Sequence, residues 1–203
     1  MRQTRVVILA PAAFALAAIA CGPPAGRVPQ AYLFQKGPYQ AVYGPDGRMM
    51  RLLYDSNGDG MADVITLFGA EGRPEQVETD TDLDGRVDRW ETLGAGGRLE
   101  RVALARRGQG SPDMWETFDP SGLVTRELDE DGDGRVDRRE QFLAGRLVRV
   151  ALDTDRDGRM DRWQQWAGGR LLSEELDTDG DGAADRRLHF DERGAFRGLE
   201  KIR

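Results

Sequence analysis

The sequence predicts an all-β protein of tandem β-hairpins, and three observations carry that reading. A nine-residue segment rich in Asp and Gly starts at 55, 80, 129, 153 and 177. A degraded copy at 105 fills the one large gap, so the period is 24 or 25 residues. The runs between these segments are six to eight residues long, which suits strands better than helices. A glycine-closed turn divides each pair of runs, the signal for a hairpin with a left-handed bulge.

The recurring segment has its clearest form at Asp153-Thr154-Asp155-Arg156-Asp157-Gly158-Arg159-Met160-Asp161. Carboxylates at Asp153, Asp155, Asp157 and Asp161 stand at offsets 1, 3, 5 and 9. Alternate side chains can thus converge on one hard cation, while Gly158 permits the sharp turn that gathers them. The same offsets hold Asp80, Asp82, Asp84 and Asp88; Asp129, Asp131, Asp133 and Asp137; and Asp177, Asp179, Asp181 and Asp185. In the first copy they hold Asp55, Asn57, Asp59 and Asp63, where Asn57 offers a neutral oxygen. Metal-free Asx-turns are the plain alternative, since Asp and Asn close turns on their own backbone. Five copies with like charges at fixed offsets favour calcium at about five sites. Magnesium, which retains waters and prefers octahedral geometry, fits less well. The copy Ala105–Asp113 keeps the glycine and last Asp but not the first three ligands, and is expected to bind nothing.

Asp80 to Glu91 and Asp129 to Glu140 complete the twelve-residue pattern D-x-D-x-D-G-x₅-E. These segments resemble EF-hand loops, and the resemblance implies Glu91 and Glu140 as further ligands. The flanking helices of an EF-hand do not carry over, because a glycine turn follows within about six residues. Position twelve is elsewhere Thr66, Glu116, Gln164 or Leu188. The loops also resemble those of thrombospondin type 3 repeats, dockerins and integrin-type propellers. Hairpins such as Phe118-Asp119-Pro120-Ser121-Gly122-Leu123 are similar to the YD repeats of bacterial Rhs proteins.

At the N-terminus, Met1-Arg2-Gln3-Thr4-Arg5 is basic and Val6 to Ile19 is apolar, too short for a membrane span but suited to a signal peptide. The run ends Ala18-Ile19-Ala20-Cys21-Gly22, and Cys21 is the sole cysteine. This junction resembles the lipobox of bacterial lipoproteins, although Ala18 stands where Leu is usual. The resemblance implies cleavage after Ala20, acylation of Cys21 with palmitate-type chains, and attachment to the cell envelope. Gly22 implies the outer membrane. A single thiol also excludes an internal disulfide.

The domain reading is a leader at 1–20, a lipidated and Pro-rich tether at 21–36, and a repeat domain at 37–203. Seven hairpins are expected, from Tyr39–Tyr54 through Ala184–Ile202, as a long antiparallel sheet curled by its twist, or a solenoid. Leu147, Val150 and Leu152 break strict alternation, so bulges are expected among the strands.

Loss of Arg2 and Arg5 with the leader takes the net charge from −7 to −9. The acidity is concentrated in the loops, and the remaining residues are rich in arginine. Phe68, Phe118, Phe142, Trp166 and Phe190 form an aromatic column before the turns, and Trp90, Trp115 and Trp163 form another. Both fit a core ladder or a glycan platform. Periodic arginines fit local ion pairs or an anion-binding stripe. His189, the only histidine, has no nucleophile beside it in the pattern, and an enzyme is not expected. The expected role is a calcium-hardened structural or spacer lipoprotein anchored by its lipid. The alternative is an adhesin or accessory module gripping a surface polysaccharide or protein; nucleic acid is not expected, and the sequence leaves oligomeric state open.

Overall fold

Side chains alternate across a pleated strand, and an added residue at a bulge restores the alternation where the sequence breaks it. The structure is a computed structural model describing residues 6–8 (backbone only), 30–108 and 110–203. Cys21 and its cleavage junction lie outside the described residues, as does the start of the tether. All described regular structure is β-strand, and every described strand pair is antiparallel.

The chain divides into two compact units: Met1–Val87 with Leu93–Gly97, and Asp88–Thr92 with Arg98–Arg203. The first holds β1 (Val6–Ile8), β2 (Tyr32–Lys36), β3 (Tyr39–Tyr43), β4 (Met49–Tyr54), β5 (Val64–Phe68) and β6 (Pro74–Thr79). The division cuts β7 (Arg89–Leu93). The second holds β8 (Leu99–Leu104), β9 (Met114–Asp119), β10 (Gly122–Leu128), β11 (Arg138–Leu143) and β12 (Arg146–Leu152). It continues with β13 (Arg162–Ala167), β14 (Arg170–Leu176), β15 (Arg186–Phe190) and β16 (Phe196–Lys201). Within each unit, strands pair in chain order. The hairpins β3–β4, β5–β6, β9–β10, β11–β12, β13–β14 and β15–β16 fall where the glycine turns place them.

One boundary needs correction. The tether reading of 21–36 fails at its end, because Tyr32–Lys36 is strand β2, paired in register with β3. Two residues, Gly37 and Pro38, connect them, and Gly37 adopts φ +59°, open to glycine without strain. The Tyr32 ring stacks on Tyr43 with centroids 4.9 Å apart, and Phe34 opposes buried Ala41. A cross-strand aromatic pair of this kind adds about 0.5–1.5 kcal/mol beyond burial. β2 also pairs on its other side with β1, which belongs to the expected leader.

The bulges account for the imperfect apolar alternation. On β11 and β12, Gln141 opposes Arg149 but Phe142 opposes Leu147, so Val148 is the inserted residue. Leu147 is thereby returned to the face that Val150 and Leu152 occupy. A register shift beside the aromatic recurs at Leu67/Phe68, Gln165/Trp166 and His189/Phe190. The aromatic column is therefore interleaved with partners across each hairpin: Phe118 with Leu123, Phe142 with Leu147, Trp166 with Leu171 and Phe190 with Phe196.

Two rows of directly opposed residues cross the second unit. One runs Val102, Glu116, Arg126, Glu140, Val150, Gln164, Glu174, Leu188 and Leu199. Val102 and Val150 are the most deeply buried large side chains, at 1% and 2% exposure. Between them Arg126 bonds Glu116 at 2.7 Å and Glu140 at 3.3 Å, and Arg138 holds the other oxygen of Glu140 at 2.6 Å. The other row, on the opposite face, runs Ala103, Trp115, Glu127, Arg139, Ala151, Trp163, Glu175, Arg187 and Glu200. Within the second unit Trp115 and Trp163 thus stand on one face, and Phe118, Phe142, Trp166 and Phe190 on the other.

The two-residue turn Ala144-Gly145 has φ +49° and +73°, the left-handed pair that twists a hairpin correctly. Ala144 is strained there as an L-residue. Ala144→Gly or Ala144→Asn is expected to raise stability by about 0.5–1 kcal/mol, and a calorimetric melting curve that stays put or falls would refute it.

Candidate metal centres

The intact loops share one hydrogen-bonding scheme, illustrated by 129–137. Asp129 accepts the Gly134 N–H at 2.9 Å through one oxygen and the Gly132 N–H through the other. Asp131 accepts from the Asp133 N–H at 3.0 Å, and Asp133 from the Arg135 N–H at 2.8 Å. Asp137 reaches back to the N–H groups of Glu130 and Asp131. The scheme recurs at 153–161 and at 55–63, where Asn57 takes the place of the second carboxylate. A short polar side chain at offset 2 adds a further bond: the Ser56 hydroxyl donates to Asp63, Thr154 to Asp161 and Thr178 to Asp185. The glycine at offset 6 has φ of +90° in 129–137 and +92° in 153–161. A Cβ there is strained, which is why the position is Gly in all six copies.

This scheme occupies Oδ1 of the offset 3 and 5 aspartates and Oδ2 of the offset 9 aspartate, leaving one oxygen of each uncommitted to the loop backbone. In the second unit, carboxylate oxygens of Asp129, Asp131 and Asp137, of Asp153, Asp155 and Asp161, and of Asp177, Asp179 and Asp181 each lie within 4.8 Å of one another. In the first unit, Asp80 and Asp82 converge in the same way. Asp133 and Asp157 at offset 5 stand outside these groups, as does Asp185 of the last loop. Asp185 Oδ1 is buried without a hydrogen-bond donor. A hard cation suits such a set, because only oxygen ligands are offered and several retain lone pairs.

The electrostatics run with the geometry. The Ser56 hydroxyl, followed by its N–H, lowers the Asp63 pKa from its ordinary 3.8. Burial pushes Asp177 up, but hydrogen bonds from the Gly182 and Gly180 N–H groups and from Asp179 together outweigh it, and the net direction is down. Both groups are thus held ionised, the form in which a carboxylate binds metal.

Neighbouring loops are joined through backbone. The Asp153 N–H donates to the Asp137 carbonyl at 2.8 Å, Asp177 to Asp161 at 2.9 Å, and Asp80 to Asp63 at 2.8 Å. Arginines add side-chain ties. Arg135 donates to the Asp157 carbonyl at 3.1 Å and packs over Gly158, while Arg203 meets Asp181 at 2.9 Å.

Loop 105–113 lacks three of the four offset carboxylates and supplies cations of its own. The Arg106 Nε lies 2.9 Å from Asp113 Oδ1 and the Arg107 Nε 3.6 Å from Asp113 Oδ2, with Asp113 only 5% exposed. Arg107 extends further, donating to the carbonyls of Asp129 and Glu130 in the next loop. Ala105, at the position of the first ligand, is buried at 5%.

Glu91 and Glu140, the two expected ligands at position twelve, stand outside the aspartate groups. Glu140 belongs to the buried row on β11, held by Arg126 and Arg138, and Glu91 bonds Arg89 at 2.5 Å. Position twelve falls on a strand here, whereas an EF-hand continues into a helix that turns it back to the ion. The Arg126 network was invisible to loop motifs. Its one sequence signal is the charge pattern on β9, β10 and β11, which needs the strand register to be read.

If the two guanidinium groups stand in for a metal at 105–113, Arg106→Ala with Arg107→Ala will leave Asp113 buried without countercharge. The expected loss is roughly 1–3 kcal/mol, equal with calcium and with EGTA. A loss that appears only in calcium would overturn this account of the loop.

No protein-family model matches the chain, and no curated protein matches it. Among solved structures it is similar to the accessory secretory protein 1, 2 and 3 structure of Streptococcus pneumoniae, at 15% identity and TM-score 0.38 over 53% of this chain. It is also similar to a mutant of S. aureus TarM in complex with fondaparinux, alpha-GlcNAc-glycerol and UDP, at 10% identity and TM-score 0.38 over 60% of this chain. A TarM crystal structure matches at 11% identity, 60% coverage and the same score. The chain spans about a fifth of each of those chains: 19%, 22% and 21%.

Proposed function

We propose that the protein is a calcium-binding repeat lipoprotein of the cell envelope, anchored through Cys21 and serving as a structural or spacer element. The observation that carries the calcium reading is the convergence of Asp129, Asp131 and Asp137, repeated at 153–161 and 177–181. Buried Asp129 and Asp137, at 3% and 5% exposure, hold negative charge where water is scarce. Backbone N–H groups offset part of that cost, and a divalent cation offsets the repulsion between carboxylates. Calcium is the ion of choice because the donors are all oxygen and outnumber what magnesium uses. Millimolar calcium outside cells fills sites of modest affinity, which agrees with the leader and the lone cysteine.

The placement of the loops supports the structural role. Each connects one hairpin to the next, and the Asp153–Asp137 and Asp177–Asp161 backbone bonds tie successive loops together. Four hydrophobic residues are buried among those described, Ala41, Val102, Ala105 and Val150. With so little apolar core, metal in the loops has a large share in stability. A site of Kd ~0.1 mM at ~1 mM calcium contributes about 1.4 kcal/mol, and five such sites sum to roughly 7 kcal/mol.

EGTA is therefore expected to lower the melting temperature of residues 22–203 sharply and to expose tryptophan to quenchers. Native mass spectrometry should count about five cations. Asp131→Ala or Asp155→Ala should each reproduce part of the loss, whereas Ser111→Ala should change nothing. A melting curve indifferent to EGTA would sink the calcium reading.

The anchor is tested separately. Cys21→Ala should leave unlipidated precursor and remove the protein from the detergent phase; unchanged detergent partitioning would rule the anchor out.

A further inference from the structure

On the opposite face of the second unit from the Arg126 network, two adjacent rows of opposed residues form a small grid. Arg139, Ala151 and Trp163 lie side by side on β11, β12 and β13, and beside them lie Gln141, Arg149 and Gln165. Ala151 is the low point between two long side chains. The result is a slot of about 370 Å³, with Trp163 as one wall and Arg139 as the other. The outer strands are separated by two strand spacings, about 9.5 Å. That admits one ring making contacts of ~4 Å on each side.

The polar inventory specifies the occupant further. Arg149 is exposed and has no ion-pair partner among the described residues, so its guanidinium is available to a carboxylate. The acids nearest the slot are already matched: Glu175 to Arg187 at 2.6 Å and Glu127 to Arg139 at 2.7 Å. Local charge is therefore positive. Gln141 and Gln165 flank Arg149 with amides that both donate and accept, as ring hydroxyls require. An indole wall supplies an apolar face for the C–H side of a sugar.

Part of the arrangement recurs on β8 and β9, where Arg101 faces Thr117 as Arg149 faces Gln165. Arg101-Val102-Ala103-Leu104 is identical to Arg149-Val150-Ala151-Leu152, and Ala103 opposes Trp115 as Ala151 opposes Trp163. The two copies are four strands apart, about 19 Å by strand spacing.

We propose that this slot binds a carboxylated sugar ring of a uronate-containing polysaccharide, with Trp163 stacking on the ring and Arg149 pairing with its carboxylate. The slot is lined by strand residues and by Met160 of loop 153–161 and contains no loop aspartate, so holding free calcium constant separates its test from that of the calcium reading. Titration calorimetry on the full chain at constant free calcium, with a galacturonic acid trisaccharide as probe, tests it. The carboxyl-reduced trisaccharide and a glutamate trimer serve as controls. The uronate should bind at least tenfold more tightly than either control. Arg149→Ala should reduce uronate binding about tenfold, to the level of the reduced sugar, and Trp163→Ala should abolish binding of both sugars. Absence of uronate binding by the native chain, or undiminished binding by Arg149→Ala, would overturn the proposal. Equal binding of the glutamate trimer would show a carboxylate site without sugar recognition, which also overturns it. Circular dichroism checks the variants; should Trp163→Ala unfold, the exposed Arg149→Ala decides.

Discussion

Buried negative charge at the loop ends is the constraint on which the array depends. Asp63, Asp80, Asp129, Asp137 and Asp153 are each 3–6% exposed, and each begins or ends a loop. A carboxylate so placed needs donors or a cation, because removal from water costs several kcal/mol. The loop backbone meets part of that need by bending its own N–H groups inward. That in turn requires a left-handed glycine at offset 6. The sharp bend is also what reverses the chain into the next hairpin. Charge, turn and strand connection are thus one device repeated down the chain.

The degraded loop shows the same need met in another way. At 105–113 the first carboxylate has become buried Ala105, and the remaining Asp113 is neutralised by Arg106 and Arg107. Tethered guanidinium groups supply the countercharge there, and Arg107 still bridges to the next loop. Arg135 makes a similar bridge from an intact loop, so inter-loop ties do not require a degenerate one.

Away from the loops, stability is spread over cross-strand pairs instead of a large core. Pairs such as Arg126 with Glu116 and Arg187 with Glu175 are half-exposed and individually modest. The raised Arg187 pKa, due first to its hydrogen bond with Glu175, places it among the better-matched pairs. A sheet stabilised in this way leaves side chains such as Arg149 and Gln165 exposed to solvent.

By itself the sequence determined the all-β class, the 24- to 25-residue period, the turn positions and the carboxylates gathered within the loops that begin at 80, 129, 153 and 177. These are local properties: a glycine at positive φ, a short strand and an Asx-type hydrogen bond involve residues a few positions apart. Tertiary structure decided what depends on strand register. It returned Leu147 to the face of Val150 through a bulge, turned Tyr32–Lys36 from tether into strand, and sent Glu140 to Arg126 and Arg138. It also set Arg149 between Gln141 and Gln165, neighbours across strands that are 8 and 16 residues away in the chain. Opposition between strands is a relation at a distance, and one residue of bulge moves every side chain beyond it to the other face.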